Sequence, residues 1–385
     1  MQTLYAETDT NPQMRFPTKH ELILERVQLV NPVQYARTRN FIDGAVTHLS
    51  PYISRGVVSV KLLQEAVLSK GYKSYEIQKF LQELAWREYY QRIWQAEGDL
   101  IWQDLKHPQP DVRHREMPAA LENCATGITA IDEQIKNLYE TGYMHNHVRM
   151  YVAAIACNIA KAYWLQPSRW LYYHLLDGDM ASNNCSWQWV AGAFASKKYY
   201  CNQENINKYT NSHQQNSFLD KPYSDIPAIP VPGVLEALST IDRQTILPIT
   251  PLPQIDTTKP TIIYNSYNLD PLWRKGENAN RVLLLESSHF SKYPVSTKVI
   301  EFIIDLAKEI AGIQVYCGEI SDLNILYNDS MLSTDQAFIA KEHPAFNHYP
   351  GIKDSRDWMY PEVTGFYPSF FSYWKKCEKS LKQFK

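Results

Sequence analysis

The sequence predicts a mainly helical protein that ends in a small α/β domain. Three observations lead to this fold class: apolar residues recur at helical spacing in the first half, prolines crowd a central segment, and short β-prone runs follow it. We expect an all-helical domain over residues 1–215, a proline-rich linker over 216–260 and an α/β domain over 261–385. At 385 residues the chain is long enough for two domains with buried cores.

The helical half is predicted from apolar residues three and four positions apart, with few Gly or Pro residues between them. This spacing places the apolar side chains on one face of each helix, where they can pack against a core. The predicted helices are Val57–Val67, Ser74–Trp94, Thr129–Tyr139, Met144–Trp164 and Ser168–Leu176.

The central segment contains eight prolines between residues 220 and 260. Because proline lacks a backbone N–H, this segment continues neither a helix nor a central strand. It is either a linker or an extended strap across a surface, and the linker interpretation is favoured.

The last third alternates short β-prone runs with a helical pattern over Val295–Ile310. The order strand, helix, strand favours a parallel sheet with a crossover helix. The predicted strands are Thr261–Tyr264, Arg281–Leu285, Ile313–Tyr316 and Ala337–Ile339.

Composition excludes several classes of protein. The formal net charge of −2 gives no global basic field, so nucleic acid would have to bind a local patch. The six cysteines form no CxxC pair, which argues against a zinc or iron–sulfur site and indicates a reducing compartment. The polar N-terminus has no apolar signal core. We therefore expect a cytoplasmic, monomeric protein without a metal ion.

Neither a GxGxxG nor a GxxxxGK[ST] motif is present, and the chain has only 14 glycines. A nucleotide cofactor would therefore be held by the helical scaffold. In Thr47-His48-Leu49-Ser50-Pro51-Tyr52, Ser50 as a helix cap followed by proline predicts a helix start. The hydroxyls and free N–H groups there could hold a phosphate, although on these residues alone a plain capped helix is favoured.

A second motif, Glu83-Leu84-Ala85-Trp86-Arg87-Glu88-Tyr89-Tyr90, puts an acid, an indole and a guanidinium on one helix face. Such a face could stack a base on Trp86 while Glu83 bonds its edge. The alternative is a core tryptophan beside an ordinary Glu83–Arg87 ion pair, and taken alone it is favoured.

Two further motifs are rich in polar groups. In Met144-His145-Asn146-His147-Val148-Arg149-Met150, the Asn146 amide could bond the edge of a base or a flavin, whereas two histidines at i, i+2 diverge on a helix and do not favour a metal. In the stretch over residues 177–189, buried carboxylates need partners, and Arg149 is available for Asp177. The spacing does not match a Ca²⁺ loop.

In this order the four motifs resemble the FAD-binding domain of DNA photolyases and cryptochromes, over roughly residues 30–210. The resemblance implies bound FAD, with Asn183 facing the central-ring nitrogen; its amide can accept a hydrogen bond without supplying acid, which suits a reduced anionic flavin. Asp177 and Arg149 match an ion pair over the ring. The cofactor-binding positions that the resemblance implies are Tyr35, Thr47, His48, Leu49, Ser50, Arg149, Asp177, Gly178, Asp179 and Asn183.

The resemblance also implies UV-damaged DNA as partner and light-driven electron transfer from reduced FAD to a pyrimidine dimer. Repair of (6-4) adducts in the family uses histidines at the positions of Asn146 and Met150, so cyclobutane dimers are the expected substrate. The positions matching lesion contacts are Glu83, Trp86, Asn146, Met150 and Trp189, and those near the DNA backbone are Arg39 and Arg87. The alternatives are a cryptochrome-like blue-light photoreceptor with little repair activity and a DNA-binding flavoprotein without photochemistry.

The sequence departs from the family in three places. The sequence starts almost directly with the predicted helical domain, whereas the family usually begins with an antenna domain, and we expect residues 261–340 to be a relocated or degenerate Rossmann-like counterpart. Trp187 and Trp164 match the inner and middle members of an electron chain, but the outer position falls near Asp111, so another tryptophan (Trp102, Trp94 or Trp170) or a tyrosine would replace it. Val46 stands where the phosphate motif usually has a hydroxyl, which predicts weaker FAD binding.

Overall fold

The fold was obtained as a computed structural model that describes residues 16–240, 242–328 and 330–381. The first 15 residues of the predicted helical domain and the last four of the predicted α/β domain therefore lie outside the described residues. From residue 16 to residue 210 the structure is helical. Its α-helices are α1 (His20–Gln28), α2 (Pro32–Thr38), α3 (Ser50–Ser54), α4 (Val60–Leu68), α5 (Ser74–Glu97), α6 (Ala119–Glu122), α7 (Thr129–Thr141), α8 (Asn146–Ala154), α9 (Leu165–His174), α10 (Met180–Ala191) and α11 (Gln203–Thr210).

Helices α5 and α10 form the centre of the helical part. Helix α10 packs against α5, α8 and α9, so that the motifs of residues 83–90, 144–150 and 177–189 meet. Helix α10 is buried on nearly all sides, which explains why its polar residues have partners within the protein. The predicted helix Met144–Trp164 is shorter in the structure, where α8 ends in a π-helical turn over Ile155–Ile159. Single 3₁₀ turns cover Gly98–Trp102, Ile226–Ala228, Gly233–Leu235 and Pro344–Phe346.

The proline-rich segment is an extended strap that bonds to both halves of the chain. Its strand β2 (Leu238–Ser239) pairs antiparallel with β1 (Met117–Pro118) of the helical part. Further along, the Thr245 hydroxyl donates to the carbonyl of Val295, at 2.9 Å, and accepts from the Val295 N–H, at 2.7 Å. Of the two interpretations left open by the sequence, the structure therefore matches the strap.

The C-terminal part contains the predicted parallel sheet. Five parallel strands lie in the order β5-β4-β3-β6-β7, and β3 coincides with its predicted residues. This order, with the first two connections running one way and the third crossing to the other side of β3, is that of a Rossmann-like sheet. Its elements are β3 (Thr261–Tyr264), β4 (Asn280–Glu286), α12 (Ser287–Lys292), α13 (Thr297–Ala307), β5 (Ile313–Gly318), α14 (Ile320–Ile325), α15 (Thr334–Ala337), β6 (Phe338–Lys341) and β7 (Ile352–Asp354).

Beyond the sheet the chain returns to the helical part. Helix α16 (Phe370–Leu381) packs on α5. The buried Glu88 carboxylate of α5 fastens this segment, because it accepts hydrogen bonds from the N–H groups of Met359 and Tyr360 and from the Tyr373 hydroxyl. The predicted domain 261–385 thus combines two parts that the structure separates: a sheet, and a C-terminal segment attached to α5.

One apolar core runs from the helical part into the sheet, with Ile23 and Tyr52 in the same cluster as Ile263 and Leu284. A second core lies within the helices and contains Trp164 and Trp187. Across the described residues no helix has both the length and the apolarity needed to cross a membrane. In the same part of the chain no group of three or more His, Cys, Asp or Glu side chains is arranged to hold a metal ion.

Candidate functional site

The Arg149–Asp177 ion pair lies at the centre of the predicted cofactor site. Nη2 of Arg149 donates to both carboxylate oxygens of Asp177, at 3.0 and 2.9 Å, while its Nε donates to the carbonyl of Met144. Burial alone would raise the pKa of Asp177, but Arg149, the Ser50 hydroxyl and Arg87 hold it below its ordinary value. The two residues therefore form an ion pair whose opposite charges nearly cancel. The predicted partnership of Asp177 with Arg149 is confirmed.

Asp179, two residues further on, caps helix α10. Its Oδ1 accepts the N–H of Ser182 at 2.7 Å, and its Oδ2 accepts from Gln91 and lies 3.6 Å from the Arg87 guanidinium. Arg87 also donates to the Ser54 hydroxyl. The Arg87 guanidinium is thus directed into the protein, where it neutralises Asp179.

Asn183 presents one free acceptor. Its Nδ2 donates to the carbonyl of Ser168 at 2.9 Å, and no donor among the described residues reaches its Oδ1. Beside it, the buried Ser182 hydroxyl has no hydrogen-bond partner within the described part of the chain. Ser186, one turn further along, is exposed although its neighbours on α10 are buried. The Asn183 oxygen and the Ser182 hydroxyl thus have hydrogen-bonding capacity that the described part of the protein does not use.

The segment that leads into α3 supplies four of the predicted cofactor positions, Thr47, His48, Leu49 and Ser50. Leu49 is buried and precedes the helix, and the Thr47 hydroxyl accepts the Leu49 N–H at 3.3 Å. The prediction that Ser50 caps the helix is wrong by one position. Leu49 is the cap residue and Ser50 the first helical residue, because the Ser50 hydroxyl bonds to Asp177 instead of to its own helix. His48 has a φ of 50°, a left-handed conformation that turns the chain into α3.

Two further predicted positions differ in character. Tyr35 is half-buried with its ring edge-on to Phe80 at 5.1 Å, and burial raises the pKa of its hydroxyl. Gly178 is buried, and a Cβ atom there would lie 3.1 Å from the Leu175 carbonyl oxygen and 3.2 Å from the Tyr172 ring. The groups that pack closely against Gly178 are therefore the protein's own Leu175 carbonyl and Tyr172 ring.

On the predicted lesion side, Trp86 is stacked by an aromatic ring from α16. The ring of Phe370 lies parallel to the Trp86 indole, with the centroids 3.9 Å apart. Glu83 is paired with Lys79 at 2.8 Å and with Arg39 at 3.4 Å. The Glu83–Arg87 pair that the sequence left open as an alternative is thus replaced by two others.

The other predicted lesion contacts are accessible. Asn146, the first residue of α8, is exposed, and Met150 one turn later is half-buried. Trp189 is half-buried and inclined against Tyr199, with ring centroids 5.9 Å apart. These three side chains come from α8 and α10, which pack against each other.

Residues 80–223 match the family model described as the FAD binding domain of DNA photolyase. This segment, somewhat over a third of the chain, is thereby identified as a photolyase-type FAD-binding domain. The matched helices are those that carry Glu83, Arg149 and Asn183, and the cofactor of this domain is FAD.

Curated members of the superfamily resemble this part of the chain. A protein of Streptomyces griseus named deoxyribodipyrimidine photo-lyase is 31% identical over 150 residues, which are 38% of this chain and 32% of that protein. Proteins of the same name from Vibrio cholerae and Escherichia coli are 32% and 26% identical, covering 43% and 47% of this chain and 36% and 42% of theirs. The chain thus spans well under half the length of these relatives.

Solved structures of the superfamily are similar over comparable stretches. A cryptochrome from Synechocystis gives a TM-score of 0.45 at 23% identity and covers 49% of this chain and 43% of its own. A class III photolyase from Agrobacterium tumefaciens gives 0.44 at 22% identity, with coverage of 54% and 48%.

The residues present fit FAD. A flavin ring offers donors and acceptors along one edge, and Asn183 and Ser182 supply an unused acceptor and an unused buried hydroxyl. The Arg149–Asp177 pair supplies polarity without net charge.

Sequence reasoning missed several groups that shape this site. Ser168, whose carbonyl orients Asn183, contributes only a backbone atom and so leaves no signal in residue type. Gln91 could have been found, because it lies one helical turn after Arg87 and so shares the face that meets Asp179. Phe370 is far away in sequence and no periodicity connects it to Trp86.

A cavity of about 370 Å³ separates this site from the sheet. It lies at the carboxyl ends of β3 and β6, where Asn268 and Lys341 line it, and Arg87 and Asp179 form part of the opposite wall. Asn183, Arg149 and Asp177 do not line it, so the cavity is a neighbour of the cofactor site and shares only its rim.

Proposed function

We propose that this protein repairs cyclobutane pyrimidine dimers in DNA with blue light. The observation that carries the proposal is the Asn183 side chain, whose amide nitrogen is fixed by Ser168 so that its oxygen faces away as an acceptor. A carboxamide cannot supply a proton, and it therefore favours the reduced anionic cofactor that repair requires. The name deoxyribodipyrimidine photo-lyase, carried by curated relatives, supports the same conclusion.

FAD, when bound and reduced, would supply on illumination the electron that splits the cyclobutane ring. The protein's own residues bind, orient and exclude water. Arg149 and Asp177 balance each other's charge beside the cofactor, so that electron transfer takes place in a fixed electrostatic environment. Thr47, Ser50 and Asp179 are proposed to hold the rest of the cofactor.

The cyclobutane dimer is favoured over the (6-4) adduct as substrate because two positions lack a proton-donating side chain. Asn146 and Met150 lie one helical turn apart on α8, and neither side chain can donate a catalytic proton. Asn146 is exposed and can hydrogen-bond the edge of an extruded base, while Trp189 offers an aromatic surface for stacking. Glu83 and Arg39, paired at 3.4 Å, would lie at the rim of the same opening.

A second candidate function is a blue-light photoreceptor with little repair activity. The stack of Phe370 on Trp86 favours it, because one face of the proposed lesion-stacking ring is already covered. In that case α16 would occupy the position of a substrate and report the state of the cofactor.

We also propose that the C-terminal sheet is a relocated or degenerate counterpart of the antenna domain of the superfamily. The Rossmann-like strand order supports this proposal, as does the cavity at the carboxyl ends of β3 and β6, the position at which such sheets hold ligands. A second chromophore released by denaturing the purified protein, in addition to FAD, would support it. Release of FAD alone, after growth with the family's antenna pigments supplied, would count against it.

The test of the main proposal is light-dependent repair by the full-length protein, loaded with FAD and photoreduced. A thymine-dimer oligonucleotide is incubated under blue light and, in parallel, in the dark. Loss of the dimer only in the light supports the enzyme. Absence of repair in wild type and in F370A, with FAD bound in both, would contradict it and favour the photoreceptor; repair by F370A alone would show that α16 controls access.

A further inference from the structure

Arg356 lines the cavity between the helical part and the sheet and has no counter-ion there. The wall of this cavity, whose volume is about 370 Å³, contains three arginine or lysine side chains. Arg87 lies 3.6 Å from Asp179, and Lys341 lies 3.3 Å from Asp357. Arg356 is the third, and within the described part of the chain it forms no ion pair.

The Arg356 guanidinium also has two unused donors. Its Nη1 donates to Oε1 of Gln91 at 2.6 Å, but its Nε and Nη2 are buried without a hydrogen-bond partner among the described residues. The Glu342 carboxylate instead accepts the backbone N–H of Arg356, at 3.1 Å, and the indole N–H of Trp358, at 2.9 Å. Burial accordingly lowers the pKa of Arg356 to about 10. Adjacent Nε and Nη2 donors match the two oxygens of a carboxylate.

Two residues that follow strands β3 and β6 add polar groups to the same cavity. Asn268 is only 3% exposed, and neither its Oδ1 nor its Nδ2 has a partner in the described structure. Nδ1 of His343 accepts the N–H of Ala345 at 3.3 Å, and burial holds the pKa of His343 well below its ordinary value. The His343 ring is therefore neutral and carries its proton on Nε2. A ligand in this cavity could bond both side chains.

Another part of the cavity wall is apolar. Val57 and Val58 line it between α3 and α4, and Val60 and Leu62 of α4 continue this surface. The cavity volume lies within the ~300–1,000 Å³ range of small-molecule sites, which combine apolar walls with a few polar groups. One arginine without a counter-ion matches a single negative charge, and the apolar wall favours a ligand with an apolar body.

The remaining acidic residues of the wall are Glu88 and Asp270. Burial raises the pKa of both carboxyl groups, which weakens their repulsion of an incoming anion. Glu88 is also occupied, because it accepts hydrogen bonds from Met359, Tyr360 and Tyr373. The anionic group that Arg356 lacks is thus not supplied by the described part of the cavity wall.

We propose that this cavity binds a small organic acid with one carboxylate and an apolar body, and that the bound acid holds the C-terminal segment in place. The carboxylate bonds Nε and Nη2 of Arg356, and the body lies against Val57 and Val58. Arg356 belongs to the same segment as Met359, which Glu88 fastens to α5 and which continues into α16. Because the acid contacts this segment and the rest of the wall together, its binding stabilises the attachment by linkage.

This inference rests on the proposed function only in assuming that the cavity holds a ligand. It requires neither absorption of light by that ligand nor repair of DNA. The acid acts on the position of α16, which covers Trp86 through Phe370.

Binding is tested by isothermal titration calorimetry of the full-length, FAD-loaded protein with benzoate. Benzamide is the matched neutral probe, since it has the same ring without the charge, and acetate has the charge without the ring. We expect benzoate to bind more tightly than either. R356Q should weaken benzoate binding by roughly 10- to 100-fold, whereas R37Q, at an exposed position of α2, should bind as wild type does.

Equal binding of benzoate and benzamide by wild type, or unchanged benzoate affinity in folded R356Q, would overturn the proposal. Preference for inorganic phosphate over benzoate would also overturn it, because phosphate makes no use of an apolar wall. The comparison of probes on wild type needs no variant and so decides the question even if R356Q does not fold.

Native mass spectrometry of the same preparation shows whether a copurified molecule already fills the site. An organic acid retained by wild type and absent from R356Q supports the proposal. Lack of benzoate binding by protein with an empty site would contradict it.

Attachment of the C-terminal segment is measured by tryptic cleavage at the exposed Lys375 and Lys376. Benzoate should slow this cleavage in wild type and not in R356Q; an unchanged rate at saturating benzoate would refute the role in attachment. Release of an antenna pigment from protein that does not bind benzoate would overturn this inference and support the antenna proposal. Failure of dimer repair alongside Arg356-dependent binding would refute the repair function and leave this inference intact.

Discussion

Phe370 stacks face to face on Trp86, with centroids 3.9 Å apart and ring planes inclined by 10°. The two residues are separated by most of the chain, and their contact joins the C-terminal helix to the helix α5 motif that is proposed to contact the lesion. An aromatic ring stacked in this geometry resembles a base stacked on an indole. Binding of a base to that face of Trp86 would therefore require α16 to move.

Removing the ring with F370A should raise the affinity for dimer-containing DNA. Stacking of a base on an aromatic residue contributes ~1–3 kcal/mol, so we expect dissociation constants to fall roughly tenfold while thermal stability also falls. Fluorescence anisotropy with a dimer oligonucleotide measures the first effect and thermal unfolding the second.

The matched control is F371A, which removes the neighbouring ring of the same helix, 70% exposed, and should change neither quantity appreciably. In the W86A background the gain from F370A should disappear, because the released surface no longer exists. A gain that persists without Trp86 would show that α16 blocks DNA elsewhere.

N146A should impair repair without affecting the fold. Asn146 is exposed at the first position of α8, where His145 is the cap residue, so the free energy of unfolding should change by less than about 0.5 kcal/mol. Loss of its bonds to an extruded base should lower kcat/KM by roughly 10- to 100-fold. Q28A, an exposed carboxamide at the end of α1, should leave repair unchanged. Equal activity of N146A and wild type would remove Asn146 from the lesion site.

R149A should reverse the pH dependence that Asp177 gives to stability. In wild type the pKa of Asp177 is lowered, so its contribution is present above the ordinary value of 3.8 and is lost as pH falls through the lower folded value. Without Arg149 burial dominates and raises that pKa. Stability should then decrease as pH rises above 3.8.

The cost of R149A at pH 7 should be roughly 3–5 kcal/mol, because a buried carboxylate loses its partner. Denaturant unfolding between pH 3 and pH 8 measures both effects, and FAD content by absorbance should fall in parallel. R37A, an exposed arginine on α2, serves as control. If the stability of R149A changes with pH in the same direction as that of wild type, Arg87 and Ser50 are sufficient to keep the pKa of Asp177 low.

E88Q should remove a pH dependence from the attachment of the C-terminal segment. Burial raises the pKa of Glu88 above 4.5, against the hydrogen bonds from Met359, Tyr373 and Tyr360. A raised folded-state pKa means that its contribution is complete below 4.5 and is lost as pH rises through the folded value. Glutamine does not titrate, and its single carbonyl oxygen can accept the bonds from Tyr360 and Tyr373 but not the one from Met359 as well.

Tryptic cleavage at the exposed Lys375 and Lys376 reports release of this segment. Its rate should rise with pH more steeply in wild type than in E88Q, after correction for the protease's own pH profile. E21Q, at an exposed position of α1, should follow wild type. Identical profiles for E88Q and wild type would show that Glu88 does not govern the attachment.

Much of the fold could be predicted because the signals are local. Strand β3 is bounded by Pro260 and Asn265 and matches its predicted residues, and α5 begins at the predicted Ser74. Strand β7 was missed because it is three residues long and largely exposed, with no alternating pattern. It exists because β6 offers it an unpaired edge, which no property of its own sequence indicates.

The candidate site, like the fold, has contacts that could be predicted from the sequence and contacts that could not. The Arg149–Asp177 pair was predictable from the requirement that a buried carboxylate have a partner. The hydrogen bond from Trp164 to Asp104 was not, because the carboxylate comes from a loop 60 positions away in the numbering and no spacing rule connects the two residues. The stack of Phe370 on Trp86 likewise depends on the path of the whole chain.

The most direct measurement of the central claim is a repair assay with both photoproducts in one solution. Photoreduced full-length protein is mixed with equal amounts of oligonucleotides carrying a cyclobutane dimer or a (6-4) adduct, and each is quantified by chromatography before and after blue light. We predict that the cyclobutane dimer is converted to intact thymines only in the light and that the (6-4) adduct remains. Persistence of the cyclobutane dimer in wild type and F370A with FAD bound, or consumption of the (6-4) adduct, would contradict the account.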